Sequence, residues 1–379
     1  MNTADSEEMA QPLKNRGFLA TASLHEADIV LMNTCTVRDQ AEHRADSNIG
    51  RLRVWKDQDP NRILIVAGCA ASRWGDSIKK KYTFIDLVSP ATKIEEFPQA
   101  VAKVLKDRWN WDVETKTAFS TNDVSLNDVP PNGVSAQTPF LFGDDHTAYI
   151  TIMRGCNYSC SYCIVPQVRG RENYRALPDI LSEIRTKVSE GYHEVMLLGQ
   201  TVNSYYYRNS DTLVDFSDLL RAVNNIEGVE KIRFMSPHPR HMKDRVIKAM
   251  TECTKVARHI HLPAQSGSDR LLDSMKRLYT RADYQEIVDK LRSAMPSLLI
   301  TTDIIVGYPG ETTEDLEATL SLLRTVRFDG LFAFKYSPRP GTTSADQLDD
   351  VPDPTKEERL QRVLALNTEI KKTAVEVSA

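Results

Sequence analysis

The chain has 379 residues, enough for two or three domains, and 41% of them are hydrophobic, as in an ordinary globular protein. Its net charge of −4 excludes a protein that binds nucleic acid over its whole surface, although a local basic surface is still allowed. No run is apolar enough to span a bilayer, and the acidic start of the chain is unlike a signal peptide. These features predict a cytoplasmic protein without a membrane anchor.

Residues 1–110 alternate between apolar runs and polar helical segments. We predict a helix at 1–17, then strands at 28–33, 62–67 and 84–88, each followed by a helix, at 37–55, 72–80 and 97–105. Repeated βα units predict an α/β domain with a doubly wound, flavodoxin-like parallel sheet. Such a domain should open with a strand, so we expect that its first strand is missing from this chain.

Two cysteines occupy equivalent places in this domain. Cys35 and Cys69 each lie two residues beyond a predicted strand, so their thiols should converge at the carboxyl edge of the sheet. The spacing alone leaves two interpretations open, a pair of metal ligands or two buried small hydrophobic residues.

Residues 111–145 differ in composition from both flanks. They are rich in Ser, Thr, Asn, Asp and Pro, which predicts a linker between domains.

The densest motif of the chain follows the next apolar run. Cys156, Cys160 and Cys163 have the spacing Cys-x3-Cys-x2-Cys and account for three of the six cysteines. A [4Fe-4S] cluster normally takes four cysteines, so three ligands leave one iron open to a small molecule, as radical chemistry on S-adenosylmethionine requires. The alternative is a structural zinc site, which would need a fourth ligand from elsewhere in the chain.

From residue 146 to about 345 the alternation of strands and helices resumes. Predicted strands at 148–153, 194–198, 231–235, 259–262, 298–306 and 331–336 favour a partial (β/α)6 barrel. Polar segments follow several of these strands, at 199–203, 236–239, 263–268 and 307–312. They would line a cavity on the same rim as the cysteine loop, with His238 and His261 as either structural or functional side chains.

The segment after the cysteine loop is basic. Arg169, Arg171 and Arg175 could bind phosphate groups of RNA, or they could form an ordinary solvated surface.

Motifs along the whole chain resemble those of the methylthiotransferase family of radical-SAM enzymes. The matching segments include Asn33-Thr-Cys35, Gly68-Cys69, Arg154-Gly-Cys156, Arg169-Gly-Arg171-Glu172, Leu198-Gly199-Gln200-Thr-Val202-Asn203-Ser-Tyr205, Ser236-Pro-His238-Pro239, His261-Leu-Pro-Ala-Gln265-Ser266-Gly267 and Thr302-Asp303. The segment that begins at Leu198 is typical of the branch that modifies tRNA rather than the branch that modifies a ribosomal protein.

This resemblance implies two [4Fe-4S] clusters and S-adenosylmethionine. Cys156, Cys160 and Cys163 match the ligands of the radical-SAM cluster, and Cys35 and Cys69 match two of three ligands of an auxiliary cluster. The third ligand would precede the first residue of this chain, so we expect an incomplete auxiliary cluster. The helical segment 346–379 ends where the family has an RNA-binding β-barrel domain, so we expect a chain truncated at both ends.

The resemblance also implies a reaction and its partners. We expect methylthiolation of N6-isopentenyladenosine in the anticodon loop of tRNA, with an electron donor such as flavodoxin and a sulfur donor, by a monomeric enzyme. The alternatives are another methylthiolated substrate, either threonylcarbamoyladenosine in tRNA or a ribosomal protein, or a non-catalytic RNA-binding fragment. On position more than chemistry, the candidates for binding S-adenosylmethionine are Tyr162, Gly199, Gln200, Gln265, Ser266 and Gly307, and no catalytic side chain is identified.

Overall fold

The computed structural model describes residues 2–36, 39–111, 146–209 and 212–378. The chain divides into two units, the first Met1–Phe142 with Gln167–Gly170 and the second Gly143–Pro166 with Arg171–Ala379. The predicted linker, 111–145, lies almost wholly outside the described residues, and the predicted domain boundaries stay a prediction.

The first unit contains a three-stranded parallel sheet, in the order β1-β2-β3. Its elements are α1 (Asn2–Lys14), β1 (Ile29–Thr34), α2 (Asp39–Gln58), β2 (Ile63–Gly68), α3 (Cys69–Trp74), α4 (Ser77–Lys81), β3 (Leu87–Pro90) and α5 (Phe97–Trp109). The predicted single helix at 72–80 is wrong, because Gly75, at a φ of 50°, ends α3 and a second short helix starts at Ser77.

Alternating residues of β2 show why the sheet has helices on both faces. Ile63 and Ile65 pack in one core with residues of α1 and α5, whereas Leu64 and Val66 pack in another with residues of α2 and α4. Because successive side chains of a strand point to opposite faces, a fully apolar strand requires cover on both sides. The predicted doubly wound α/β arrangement is confirmed.

The second unit contains six parallel strands in two groups, β10-β7-β4 and β11-β12-β13. These strands are β4 (Thr147–Thr151), β7 (Glu194–Leu198), β10 (Lys231–Phe234), β11 (His259–His261), β12 (Leu299–Val306) and β13 (Gly330–Lys335). Backbone hydrogen bonds of Ile232 with Lys255 and Ala257 connect β10 to the segment that leads into β11. Strands in chain order across such a sheet form the predicted partial barrel.

Helices cover one face of these strands, and short strands and helices lie in the connections between them. The remaining elements are β5 (Met153–Arg154), α6 (Val165–Arg169), β6 (Asn173–Tyr174), α7 (Leu177–Ser189), β8 (Tyr206–Asn209), β9 (Thr212–Asp215), α8 (Phe216–Asn224), α9 (Asp244–Glu252), α10 (Asp269–Ser274), α11 (Arg281–Ala294), α12 (Thr313–Val326) and α13 (Asp353–Ser378). The buried residues of β12, such as Ile300 and Ile304, join the main core, whereas Thr301 and Asp303 are half-buried on the opposite face. Within the described residues, no helix has the length and apolar character needed to cross a membrane.

Candidate functional site

The cysteine loop of the second unit lies just beyond β4 and β5, at the carboxyl end of the barrel strands. Gly155, at a φ of 77°, turns the chain out of β5, and Cys156 follows. Ser161 fixes the loop, since its backbone N–H donates to the carbonyl of Met275 at 3.1 Å and its hydroxyl donates to the carbonyl of Ser274 at 2.9 Å. The loop that carries the thiols is therefore anchored to the end of α10.

The three thiols of this loop influence one another electrostatically. Burial is the largest of the effects that raise the pKa of Cys163 to about 12, and the charges that Cys160 and Cys156 would carry contribute to this rise. Burial also raises the pKa of Cys156, with a smaller contribution from Cys160. The three thiols would therefore repel one another as thiolates, and a cation or a metal cluster bound by them would relieve this repulsion.

Hydrogen-bond donors surround the same sulfur atoms. The backbone N–H of Tyr158 points at Cys156, and that of Val165 points at Cys163, each lowering the pKa of the thiol. Donors of this kind stabilise thiolates, so the residues present fit an iron–sulfur cluster. Among the described residues, no group of three or more His, Cys, Asp and Glu side chains is arranged to hold a single metal ion.

Tyr158, within the cysteine loop, contacts two histidines. The ring of Tyr158 stacks on His238, with centroids 4.3 Å apart, and its hydroxyl lies 2.6 Å from Nε2 of His241. Burial lowers the pKa of His238 to about 2, so its imidazole is neutral, and within the described residues its buried Nε2 has no hydrogen-bond partner. The sequence pointed to His238 but not to Tyr158 or His241, because nothing in their spacing indicates this contact.

Two of the predicted ligand-binding residues, Gly199 and Gln200, directly follow β7. A Cβ atom on Gly199 would lie 2.6 Å from Cγ of Met153 in β5, so any larger residue there would have to displace that side chain. Gln200 has a buried Oε1 for which the described residues provide no donor. An unpartnered buried acceptor is costly, so Gln200 is the strongest of the predicted candidates for binding a ligand.

The other predicted ligand-binding residues are already engaged within the second unit. Ser266 lies 3.3 Å from the hydroxyl of Thr319, and Gly307 donates its N–H to Glu311 at 2.6 Å. Gln265 adopts a left-handed φ of 70° and pairs through its backbone with β12, while Tyr162 packs in a small cluster with Tyr308. Their roles in binding S-adenosylmethionine stay predictions.

In the first unit, Cys35 and Cys69 lie at one edge of the sheet. Thr34 pairs in register with Gly68, which places each cysteine directly after one member of that pair. Burial raises the pKa of Cys69, Arg169 lowers it, and Cys35 raises it. The electrostatic effect of Cys35 on Cys69 agrees with the predicted convergence of the two thiols.

The three predicted RNA-binding arginines occupy different environments. Arg169 counts with the first unit, where its side chain is 6% exposed and pairs with Asp5, an arrangement that argues against contact with RNA. In the second unit, Arg175 pairs with Glu183 at 2.5 Å, whereas Arg171 is exposed. Sequence could not distinguish them, because the partner of Arg169 is 164 residues away.

Two family descriptions match this chain. Residues 150–323 match the radical SAM superfamily, and residues 1–89 match the uncharacterized protein family UPF0004. The first match includes the cysteine loop and most of the barrel, and the second includes Cys35 and Cys69.

The chain is also similar to named relatives over nearly its whole length. It is 41% identical to tRNA-2-methylthio-N(6)-dimethylallyladenosine synthase of Thermoanaerobacter sp. (strain X514), over 98% of this chain and 76% of the relative. It is 40% identical to the synthase of that name from Clostridium botulinum (strain Hall / ATCC 3502 / NCTC 13319 / Type A), over 98% of this chain and 80% of the relative. The corresponding protein of Syntrophus aciditrophicus (strain SB) is 41% identical, over 97% and 77%.

Solved structures support the fold. The radical S-adenosylmethionine methyltransferase TsrM from Kitasatospora setae, solved with cobalamin and a [4Fe-4S] cluster, matches with a TM-score of 0.65 and 15% identity, over 91% of this chain and 74% of that chain. The cobalamin-dependent S-adenosylmethionine radical enzyme OxsB matches with a TM-score of 0.53 and 15% identity, over 96% and 50%. The identity to its named relatives, together with the cysteine loop at the rim, places this chain in the tRNA-2-methylthio-N(6)-dimethylallyladenosine synthase family of radical-SAM enzymes.

Proposed function

We propose that this chain is a radical-SAM methylthiotransferase that adds a methylthio group to C2 of N6-isopentenyladenosine in the anticodon loop of tRNA. The observation that carries the proposal is the loop of Cys156, Cys160 and Cys163 at the barrel rim, in a chain about 40% identical to synthases of that name. When bound, a [4Fe-4S] cluster supplies the electron that splits S-adenosylmethionine into methionine and a 5′-deoxyadenosyl radical.

The residues of the loop prepare the ligands for this chemistry. The N–H groups of Tyr158 and Val165 stabilise the thiolates of Cys156 and Cys163. Ser161 holds the loop against the end of α10 through its backbone N–H and its hydroxyl.

The rim residues receive the organic substrates. Gln200 offers a buried acceptor, and His238 offers a neutral ring nitrogen, both at the carboxyl ends of barrel strands. Such groups orient a nucleoside by hydrogen bonds, and the surrounding buried side chains keep water away from a reactive radical. Arg171, exposed after the cysteine loop, is the proposed phosphate contact for tRNA.

The thiols of Cys35 and Cys69 are two of the proposed ligands of a second [4Fe-4S] cluster. We further propose a low-potential electron donor of the flavodoxin type, a separate sulfur donor, and action as a monomer in the cytoplasm. All six cysteines are free thiols, which agrees with a reducing compartment.

Mass spectrometry of tRNA nucleosides tests this function. A bacterial strain that lacks its own methylthiotransferase gene should accumulate N6-isopentenyladenosine, and expression of this chain should convert that nucleoside to its 2-methylthio form. The Cys156→Ala variant should leave it unmodified. A mass gain on threonylcarbamoyladenosine or on a ribosomal protein instead would reassign the substrate.

A further inference from the structure

Arg277 is a buried cation beside the cysteine loop, and the proposed function assigns it no role so far. Its residue is 6% exposed, and its Nη1 donates to Sγ of Cys160 at 3.4 Å and to the hydroxyl of Tyr162 at 3.3 Å. Its Nε donates to the hydroxyl of Tyr279 at 3.1 Å, and its guanidinium lies 5.3 Å from the centroid of that ring. The guanidinium is therefore fixed on both sides.

The electrostatic neighbours of Arg277 are unusual for a buried arginine. Within the described residues, its strongest interactions are with Tyr162, Tyr279 and Cys160 rather than with a carboxylate. A buried charge is expensive unless an opposite charge compensates it. A thiolate at Cys160 that belongs to an iron–sulfur cluster provides this compensation.

The backbone around Arg277 is strained in a way that favours this contact. Lys276 and Leu278 both adopt left-handed conformations, with φ of 56° and 60°, although neither is glycine. This conformation is strained for residues other than glycine, and the side chain of Leu278 is mostly exposed. The same turn begins at Met275, whose carbonyl accepts the N–H of Ser161 in the cysteine loop. The turn therefore holds Arg277 against the loop at a cost in local backbone energy.

We propose that Arg277 is a positioning residue that sets the reduction potential of the iron–sulfur cluster held by Cys156, Cys160 and Cys163. This inference rests on the proposed function. The step concerned is the addition of one electron from a low-potential one-electron donor, with no bond made or broken and no proton transferred. A fixed positive charge and an N–H···S hydrogen bond both favour the state that has gained the electron, because cluster potentials follow net charge and hydrogen bonds to sulfur.

Thr201, an uncharged residue beside Cys156, provides a matched comparison for Arg277 beside Cys160. The hydroxyl of Thr201, also buried, lies 3.4 Å from Sγ of Cys156. Replacing Thr201 removes a hydroxyl that lies as far from a cysteine sulfur as Nη1 of Arg277 does, but it removes no charge.

The test is a redox titration of the anaerobically reconstituted full chain with dithionite, followed by electron paramagnetic resonance. Arg277→Gln should bind iron and sulfide as the wild type does, but its ratio of reduced to oxidised cluster at a fixed solution potential should fall at least tenfold, a shift of about 59 mV. Arg277→Lys, which keeps the charge, and Thr201→Val should each change that ratio less than threefold.

Three results would overturn the inference: a wild-type potential for Arg277→Gln, equal shifts for the Lys and Gln variants, or a larger shift for Thr201→Val. If Arg277→Gln binds no iron, Arg277→Lys decides, because it keeps the positive charge beside Cys160. A ratio of reduced to oxidised cluster within threefold of the wild type supports the inference, and a larger change contradicts it. A wild-type chain that binds no cluster would contradict the proposed function instead, so the two failures are distinguishable.

Discussion

Arg169 donates a hydrogen bond from Nε to Sγ of Cys69 at 3.1 Å, and its Nη2 pairs with Asp5 at 2.6 Å. All three residues count with the first unit, and the side chains of Arg169 and Asp5 are 6% and 2% exposed. The guanidinium lowers the pKa of a thiol that burial would otherwise raise further, and Asp5 limits this effect. Arg169 therefore supports a proposed cluster ligand rather than a surface for RNA.

Asp5→Asn should destabilise the first unit, because it leaves the buried cation of Arg169 without its carboxylate. We expect a loss of about 3 to 5 kcal/mol in the free energy of unfolding, measured by urea denaturation. Asp57→Asn is the matched control, since the pair of Arg53 and Asp57 is about 60% exposed on both sides and should contribute less than about 1 kcal/mol. Equal losses in the free energy of unfolding would show that the buried pair stabilises the protein no more than the exposed pair does.

Gly68→Ala should disrupt the edge of the sheet where the two cysteines meet. Gly68 has a φ of 97°, and a Cβ atom there would lie 2.5 Å from the carbonyl oxygen of Thr34. We expect a destabilisation of about 3 kcal/mol or more, because backbone atoms of β1 must move. Gly17→Ala has a similar φ of 85° but open space around it, so it should cost only about 1 kcal/mol. Thermal unfolding of both variants measures the difference, and a Gly68 variant as stable as the Gly17 variant would refute the steric argument.

Stability should fall in acid partly through Asp315. Burial raises the pKa of this carboxyl, but hydrogen bonds from Arg270 and Ser268 outweigh it and hold the pKa at about 2. Since the folded pKa lies below the unfolded value of 3.8, the stabilisation is complete above about pH 4 and disappears as the pH falls through about 2. We expect ionised Asp315 to contribute about 1 to 2 kcal/mol to the free energy of unfolding. This figure is reduced for solvent screening, because Arg270 is more than half exposed.

Urea unfolding of the wild type and Asp315→Asn between pH 6 and pH 2 measures this contribution. The difference between the two proteins should shrink as the solution becomes acidic. A difference that stays constant over this range would exclude the ion pair as its source.

Arg171→Gln should weaken tRNA binding and reduce its dependence on salt. Arg171 is the exposed arginine of the three predicted contacts, and the loss of one phosphate contact lowers the slope of log K against log salt by about 1. Arg324→Gln, also exposed but near the end of α12, should leave the slope unchanged. Fluorescence anisotropy with labelled tRNA at several salt concentrations measures both slopes.

The sequence predicted most strands of both units because their apolar runs are long and end in recognisable turns, although β3, predicted at 84–88, lies at Leu87–Pro90. The runs at 62–67 and 298–306 appear as β2 and β12 with their ends shifted by one residue at most. The hairpin of β8 and β9 was not predicted, since its strands are only four residues long and their polar and apolar residues show no clear alternation. Short pairings of this kind depend on tertiary contacts rather than on local preference.

The cysteine ligands could also be predicted, because thiols at close spacing have few other uses. Arg277 could not, since 117 residues separate it from Cys160 and a single arginine between two helices carries no pattern. Arg169 was predicted for RNA because arginine near a basic segment usually lies on the surface. Its burial depends on Asp5, a partner that only the folded chain identifies.

Cys156, Cys160 and Cys163 are proposed to hold the cluster that cleaves S-adenosylmethionine. The most direct test is 5′-deoxyadenosine production by anaerobically reconstituted protein with dithionite, comparing Cys156→Ala with Cys253→Ala, whose cysteine is buried in the barrel core. We expect that Cys156→Ala produces no 5′-deoxyadenosine above background while Cys253→Ala produces it at nearly the wild-type rate. Undiminished production by Cys156→Ala would exclude Cys156 as a ligand of the cluster.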